Sequence, residues 1–340
     1  MPGYFHRVNR HSPTRFWINN PTVDEADRAI AAGAVGCTTN PTFAAKMVSD
    51  GSMQTLLEEI CEQHADPAAA AAAVQRKLAA RVMERFALLH EKSHGTAGYV
   101  SIQCDPLAED DPNAILTEAE HGRKLGANFI AKIPVTASGL VAIEALAAEG
   151  VPIIATEVMS IAQVTAVCET YASAVAGRAT RPPLYVTHIT GIFDKYLASH
   201  VEREGIAVSR DALWHAGLAV AQKQYRLMKE RGYDGIVLGG GARDLHHFTE
   251  FVGADVHVTI NWKGTADRLI KLDGPVVYRF SSRVPEHYLD GLFSLPDFRS
   301  AYLNDGLEVG QFAEFGPVAD FRDSFVAGWR KLLACLPIRR

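Results

Sequence analysis

Eight short apolar runs, each followed by a longer helical stretch, constrain this chain more than any other feature. The runs fall at 16–19, 36–38, 99–103, 129–133, 152–155, 184–187, 235–238 and 256–260. Between them lie segments of helical composition, among them 25–32, 67–91, 114–125, 140–149, 162–175 and 212–231. Turn residues punctuate the alternation: "AAGA" after the first helix, "EGVP" before the fifth strand, "RGYDG" before the seventh. Pro67 suits a first helical position. Strand–helix alternation implies a parallel sheet. Eight such units favour closure into a (β/α)8 barrel over an open doubly wound sheet. The first strand–helix turn also lacks G-x-G-x-x-G, so a dinucleotide fold has little support. The expected fold class is therefore α/β, a single domain over 1–340 with the barrel at about 15–268. The remainder, about 269–340, is expected to form C-terminal helices packed on the barrel, with reach over its mouth. It ends in the helical pattern "DFRDSFVAGWRKLLACL".

Composition narrows the function classes. A chain of 340 residues, 48% apolar and 21% charged, can bury a sizeable core as an ordinary globular protein. No apolar run reaches membrane-spanning length, and "MPGYFHRVNRHSPTRFWINN" lacks the apolar core of a signal peptide. A net charge of −5 leaves no electrostatic footprint for nucleic acid. The five cysteines (37, 61, 104, 168, 335) are scattered with no C-x-x-C pair, as expected of reduced thiols in a cytoplasm. Neither membrane nor nucleic acid is an expected partner.

In such barrels the C-terminal strand ends face the active site. Those ends read Asn19-Asn20, Thr38-Thr39-Asn40, Gln103-Cys104-Asp105, Lys132, Thr156-Glu157, Thr187-His188, glycines 239–241 with Arg243, and Asn261. Lys132 stands in "FIAKIPV", among apolar neighbours. Desolvation lowers the pKa of a lysine there, and the neutral amine can attack a carbonyl to form a Schiff base. The iminium then withdraws electrons from the adjacent carbon and permits a carbon–carbon bond to break or form. The alternative is a lysine that snorkels to the mouth or pairs with an acid. Gly239-Gly240-Gly241-Ala242-Arg243 is either an anion site of glycine amides plus a guanidinium, or a tight turn. His246-His247 read as a packing face rather than as metal ligands. Trp17 and Trp262 read as core or ring-stacking residues at the mouth.

"GCTTNPTF" (36–43), "AKIPVTASGLVAI" (131–143), "ATEVMSIAQV" (155–164) and "LGGGARD" (238–244) together resemble the transaldolase family, which includes the fructose-6-phosphate aldolases. The resemblance runs from about Phe16 to Asn261. It implies a class I aldolase barrel in carbohydrate metabolism, of the pentose phosphate type. It further implies a Schiff base at Lys132, no cofactor or metal, and a sugar or sugar-phosphate substrate. Thr39, Asn40, Thr187, Gly240, Gly241 and Arg243 form the expected substrate-binding set. Asn40 matches a residue that binds the substrate hydroxyls, and Arg243 matches one phosphate arginine. Thr156 matches the threonine that helps hold a catalytic water, and Thr187 keeps a hydroxyl where many members have serine. A homodimer is one assembly the resemblance allows.

The departures concern the acids. Asn19 stands where the family has an aspartate acting as acid/base, and an amide cannot exchange protons near neutrality. Gln103 replaces the glutamate of transaldolases, although the aldolase branch also has glutamine there. In place of a second phosphate arginine the chain offers Ile192 or Phe193, with Lys195 nearby. His188 and Glu157 are candidate replacement acids, and His188 joins Lys132, Asn19, Gln103 and Thr156 as the expected catalytic set. Strand alternation argues that both point outward if Thr156 and Thr187 point inward. For Glu157 the simpler reading is a salt bridge to a neighbouring helix. Three functions follow: a transaldolase or aldolase, a relative recruited to a different carbonyl substrate, or a non-catalytic sugar-phosphate-binding barrel.

Overall fold

The computed structural model describes residues 3–49 and 51–337, so the outermost residues of the expected 1–340 and 269–340 spans lie outside it. Eight parallel strands close into a ring in chain order. They are β1 (Arg15–Asn19), β2 (Gly36–Thr38), β3 (Tyr99–Gln103), β4 (Phe129–Pro134), β5 (Ile153–Val158), β6 (Leu184–His188), β7 (Ile236–Gly239) and β8 (Val256–Asn261). The ring shuts where β1 meets β8, with Trp17 opposite Thr259 and Asn19 opposite Asn261. The (β/α)8 barrel expected from the alternation is the fold of this protein.

Local chemistry sets the helix ends. Thr22 and Ser160 open helices with reciprocal capping boxes to Glu25 and Gln163. Asp66 caps Pro67–Lys92, with Pro67 in the first turn. Gly33, Gly150 and Gly205 end helices in the left-handed conformation. The stretch read as one helix over 212–231 is two, Arg210–Trp214 and Ala216–Glu230. The break frees the amide of Gly217 to donate to Asp194 Oδ1 at 2.6 Å, a carboxylate at a helix N-terminus.

The larger difference lies in β5, which runs three residues beyond the expected 155. Glu157 adopts φ +61°, and the register against β6 shifts between Ala155 and Val158. A side chain other than glycine rarely takes that conformation. The resulting bulge breaks the in–out alternation at the strand end.

Inside the ring, Trp17, Tyr99, Ile130, Ile154, Tyr185 and Leu238 form a core of their own, separate from the larger core between strands and helices. Trp17 Nε1 donates to His257 Nδ1 at 2.8 Å, and burial pushes the imidazole of His257 down to about 3, so it is neutral. This plug fills the barrel below the polar strand ends. Above it, the helix Gly316–Cys335 brings Phe321, Ser324 and Phe325 to the mouth. That helix approaches the helix Thr42–Val48 closely, since a Cβ on Gly328 would stand 2.7 Å from the Thr42 methyl. Among the described residues no helix is long and apolar enough to cross a membrane.

The plug makes a specific demand on β2. A Cβ at Gly36 would fall 2.7 Å from three atoms of the Trp17 ring. Gly36→Ala is expected to destabilise by about 1–3 kcal/mol, because an aromatic ring wedged in a closed barrel cannot yield. Urea denaturation checks this, with Trp17→Phe in the same chain restoring part of the loss. An unchanged midpoint in Gly36→Ala would contradict the packing described.

Candidate active site

A cavity of about 470 Å³ opens over the C-terminal strand ends. Of the residues expected from sequence, Asn19, Asn40, Lys132, Thr156, Thr187, Gly240, Gly241 and Arg243 line it. Gln103, His188 and Thr39 do not, although two of them act on residues around it.

Lys132 points inward from β4, and its residue is 7% exposed. Its Nζ donates to the carbonyl of Thr39 at 3.2 Å and stands 5.6 Å from the ring centroid of Phe325. Burial drives the ammonium well below its ordinary value, against the opposing pull of the Glu157 charge. The contribution of Thr39 is thus its backbone, while its side chain is bound into β3 at the carbonyl of Ser101.

Glu157 sits where the bulge sends it. Its Oε1 accepts from Gln103 Nε2 at 2.9 Å, and its Oε2 is buried without a protein partner. The salt bridge to a neighbouring helix expected for it is absent among the described residues. Burial raises its carboxyl above the usual range, with Lys132, the Gln103 hydrogen bond and Arg322 pulling the other way. β3 and β5 flank β4, so the Gln103–Glu157 bond passes over the strand that carries Lys132. Gln103 Oε1 and Thr156 Oγ1 are likewise buried and unpartnered.

Asn19 belongs to a closed amide network. It accepts from Thr38 Oγ1 at 2.9 Å and donates to Asn261 Oδ1 at 2.9 Å. Asn20, strained at φ +45°, exchanges hydrogen bonds with Asn40. Asn40 Oδ1 also accepts from Thr42, so its oxygen is committed to the protein. His188 is fully buried, and its Nδ1 contacts the carbonyl of Val158 at 3.0 Å. Burial pushes it down to about 4, and it faces Phe193 rather than the cavity.

The glycine loop is tighter than an open anion cradle. The amides of Arg243 and Asp244 donate to His247 Nδ1 at 3.2 and 3.1 Å, and Gly240 N donates to the carbonyl of His188. The loop therefore presents the Arg243 guanidinium, held at 3.1 Å from the carbonyls of Gly241 and Ala242. Asp194, His246 and His247 lie close enough together to hold a metal ion. The hydrogen bonds argue otherwise: an Nδ1 accepting two amides leaves the proton on Nε2, which donates to Asp194 Oδ2 at 3.0 Å. His247 has no lone pair left for a metal, in keeping with the packing role read from sequence.

Sequence reasoning expected the C-terminal helices to reach over the mouth but did not name Phe321, Ser324 and Phe325, which do so. The apolar i, i+4 pair of phenylalanines in the last helix was the signal that could have named them.

These features define a class by fold and site: closed parallel (β/α)8 barrels with a desolvated lysine on the fourth strand, ringed by amides and hydroxyls. The chain belongs to the transaldolase/fructose-6-phosphate aldolase family, whose model matches residues 16–283. It is 28% identical over 205 residues to the transaldolase of Mycobacterium ulcerans, covering 58% of this chain and 55% of the relative. It is 28% identical over 200 residues to that of Mycobacterium leprae (56% and 53%). Against that of Mycolicibacterium smegmatis it is 33% identical over 140 residues (40% and 38%). The chain spans about half the length of the curated relatives it matches.

Beside the site, Glu109 is buried with both carboxylate oxygens unpartnered. Burial and the charge of Glu157 push it up to about 9, from an ordinary 4.5. A raised carboxyl binds more protons folded than unfolded. Its contribution is therefore intact below about 4.5 and is lost as pH rises toward 9. The thermal midpoint should fall across that window in the wild type. It should fall less in Glu109→Gln, which should be the more stable of the two at pH 9; parallel curves would refute the assignment.

Proposed function

We propose that this chain is a cytoplasmic transaldolase-type enzyme. Lys132 forms a Schiff base with a ketose or ketose phosphate, and the enzyme makes or breaks the carbon–carbon bond beside the former carbonyl. The observation that carries this reading is Lys132 itself, buried at the cavity floor with its ammonium destabilised by desolvation. The amine lone pair attacks the carbonyl carbon, the carbonyl oxygen leaves as water, and the iminium accepts the electrons of the breaking bond. Thr38, Asn40, Thr187 and Asn261 supply hydroxyl and amide contacts suited to a polyhydroxylated chain. The matched relatives carry the name transaldolase, which supports a reaction of that type. The unit transferred is taken to be dihydroxyacetone, in pentose phosphate metabolism.

Borohydride trapping tests it directly. Incubation with fructose 6-phosphate, sedoheptulose 7-phosphate, fructose or dihydroxyacetone should leave a reduced adduct mapped to Lys132, and none in Lys132→Met. No adduct across the panel, or an adduct elsewhere, would overturn the proposal.

One observation favours a recruited variant of the same chemistry. Ile192 and Phe193 stand buried where a second phosphate arginine was expected, leaving Arg243 as the cation of the glycine loop. If phosphate is bound, Arg243→Ala should raise KM for phosphorylated ketoses about tenfold or more, the scale of one charge-assisted contact. Equal, small effects on phosphorylated and unphosphorylated substrates would assign the enzyme to the second kind of carbonyl substrate.

A further inference from the structure

The amides at Asn19 and Gln103 leave the Schiff-base reading without a group to move protons, and the barrel supplies one elsewhere. Glu157 holds a conformation that a side chain of its kind avoids, φ +61°, and strain of this sort persists where the surroundings impose it. The bulge redirects a side chain that strand alternation would turn outward, and delivers its carboxylate to Gln103 across the strand of Lys132. One carboxylate oxygen is held by Gln103 and the other is buried and unpartnered, as are Gln103 Oε1 and the adjoining Thr156 Oγ1. Groups of that kind, gathered at a polar site, suit a bridging water.

We propose that Glu157 is the proton carrier of this site, exchanging a proton with Lys132 through a water held by Thr156 and Gln103, in place of the acids absent from β1 and β3. The proposal rests on the Schiff-base reading and adds to it the group that moves the proton. The step balances. The neutral pair, Lys132 amine and Glu157 carboxylic acid, meets the carbonyl. The nitrogen lone pair forms the C–N bond while the C=O π pair moves to oxygen. One N–H proton and the carboxyl proton end on that oxygen, which leaves as water. An iminium and a carboxylate remain, charges balanced, and the carboxylate then faces the cation it helped to make.

The surroundings fit the exchange. The charged and titratable groups acting on Glu157 are Lys132 from β4 and Arg322 from the last helix, which favour its anion, and Glu109 from the loop after β3, which opposes it. Cys104 also lies in its field and is held as a neutral thiol by burial. Desolvation moves the lysine down and the glutamate up, so the two converge, which favours proton exchange between them.

Rapid quench into borohydride, with fructose 6-phosphate and dihydroxyacetone as probes, measures the rate of iminium formation between pH 5 and 9. In wild type the rate should be bell-shaped, falling at low pH as the amine is protonated and at high pH as the carboxyl loses its proton. Glu157→Gln keeps the hydrogen bond to Gln103 but carries no proton. It should slow formation about 100-fold or more and lose the alkaline fall, while adduct still accumulates on Lys132. A role limited to tuning the lysine predicts the opposite at pH 6, because removing the anion frees the amine and speeds attack. An unchanged or faster Glu157→Gln overturns the proposal while leaving the Schiff base intact. No adduct in wild type overturns the Schiff base itself. Should Glu157→Gln fail to fold, Gln103→Met leaves the strained backbone untouched and removes the bond that orients the carboxylate. A slower rate with a displaced alkaline limb supports the proposal, and an unchanged rate and profile overturns it.

Discussion

Closing eight parallel strands into a ring forces every second residue of each strand toward one axis, where space is short. The rest of this molecule follows from that crowding. Below, it demands the aromatic plug around Trp17, and with it a glycine at position 36, because ring and side chain cannot share the space. Above, it gathers hydroxyls and amides from five strands around Lys132, the residue that carries the charge. A lysine held this way has lost most of its hydration, and its ammonium is costly for the same reason that the plug is stable.

The polar ring surrounds that lysine without clamping it. Among the described residues its one hydrogen bond is to a neutral carbonyl, that of Thr39, and its aromatic neighbour Phe325 comes from a helix outside the barrel. The amides at Asn19, Asn20, Asn40 and Asn261 are largely bonded to one another and to hydroxyls, which fixes their orientation, and as amides they carry no exchangeable acid proton near neutrality. Acidity is displaced to a different wall. Glu157 and Glu109 are both buried with oxygens unpartnered and both raised, and they lie on the β3–β5 side of Lys132 rather than on β1. A β-bulge makes this possible. One extra residue in β5 lets Thr156 face the cavity and Glu157 reach Gln103, two inward positions that regular pleating could not supply in succession.

The same crowding explains the loop after β7. Gly241 takes φ +64°, and a Cβ there would strike Ile189 and Ile192. The amides that a more open loop would offer to an anion are turned to His247, which is locked in turn to Asp194, and Asp194 receives the Gly217 amide in the first turn of the helix Ala216–Glu230. This chain of bonds ties the sixth and seventh units together. It spends on structure the donors that sequence reading assigned to a ligand.

The order of elements, the closed barrel and the position of Lys132 were legible in the amino-acid sequence, because hydrophobic period and turn chemistry are local and the barrel follows from counting them. The cavity-facing places of Asn19, Asn40, Thr156, Thr187 and Arg243 followed from their standing at strand ends. What only the tertiary structure decided were the directions of side chains where regular geometry fails. His188 lies outside the cavity, Glu157 inside the wall beside Lys132, and Phe325 over it from a helix nearly two hundred residues away in the chain. Period-two alternation predicts facing only while a strand stays regular. A bulge is set by register against a neighbour, and a lid by the docking of a distant helix, and neither interaction is written in the residues on either side.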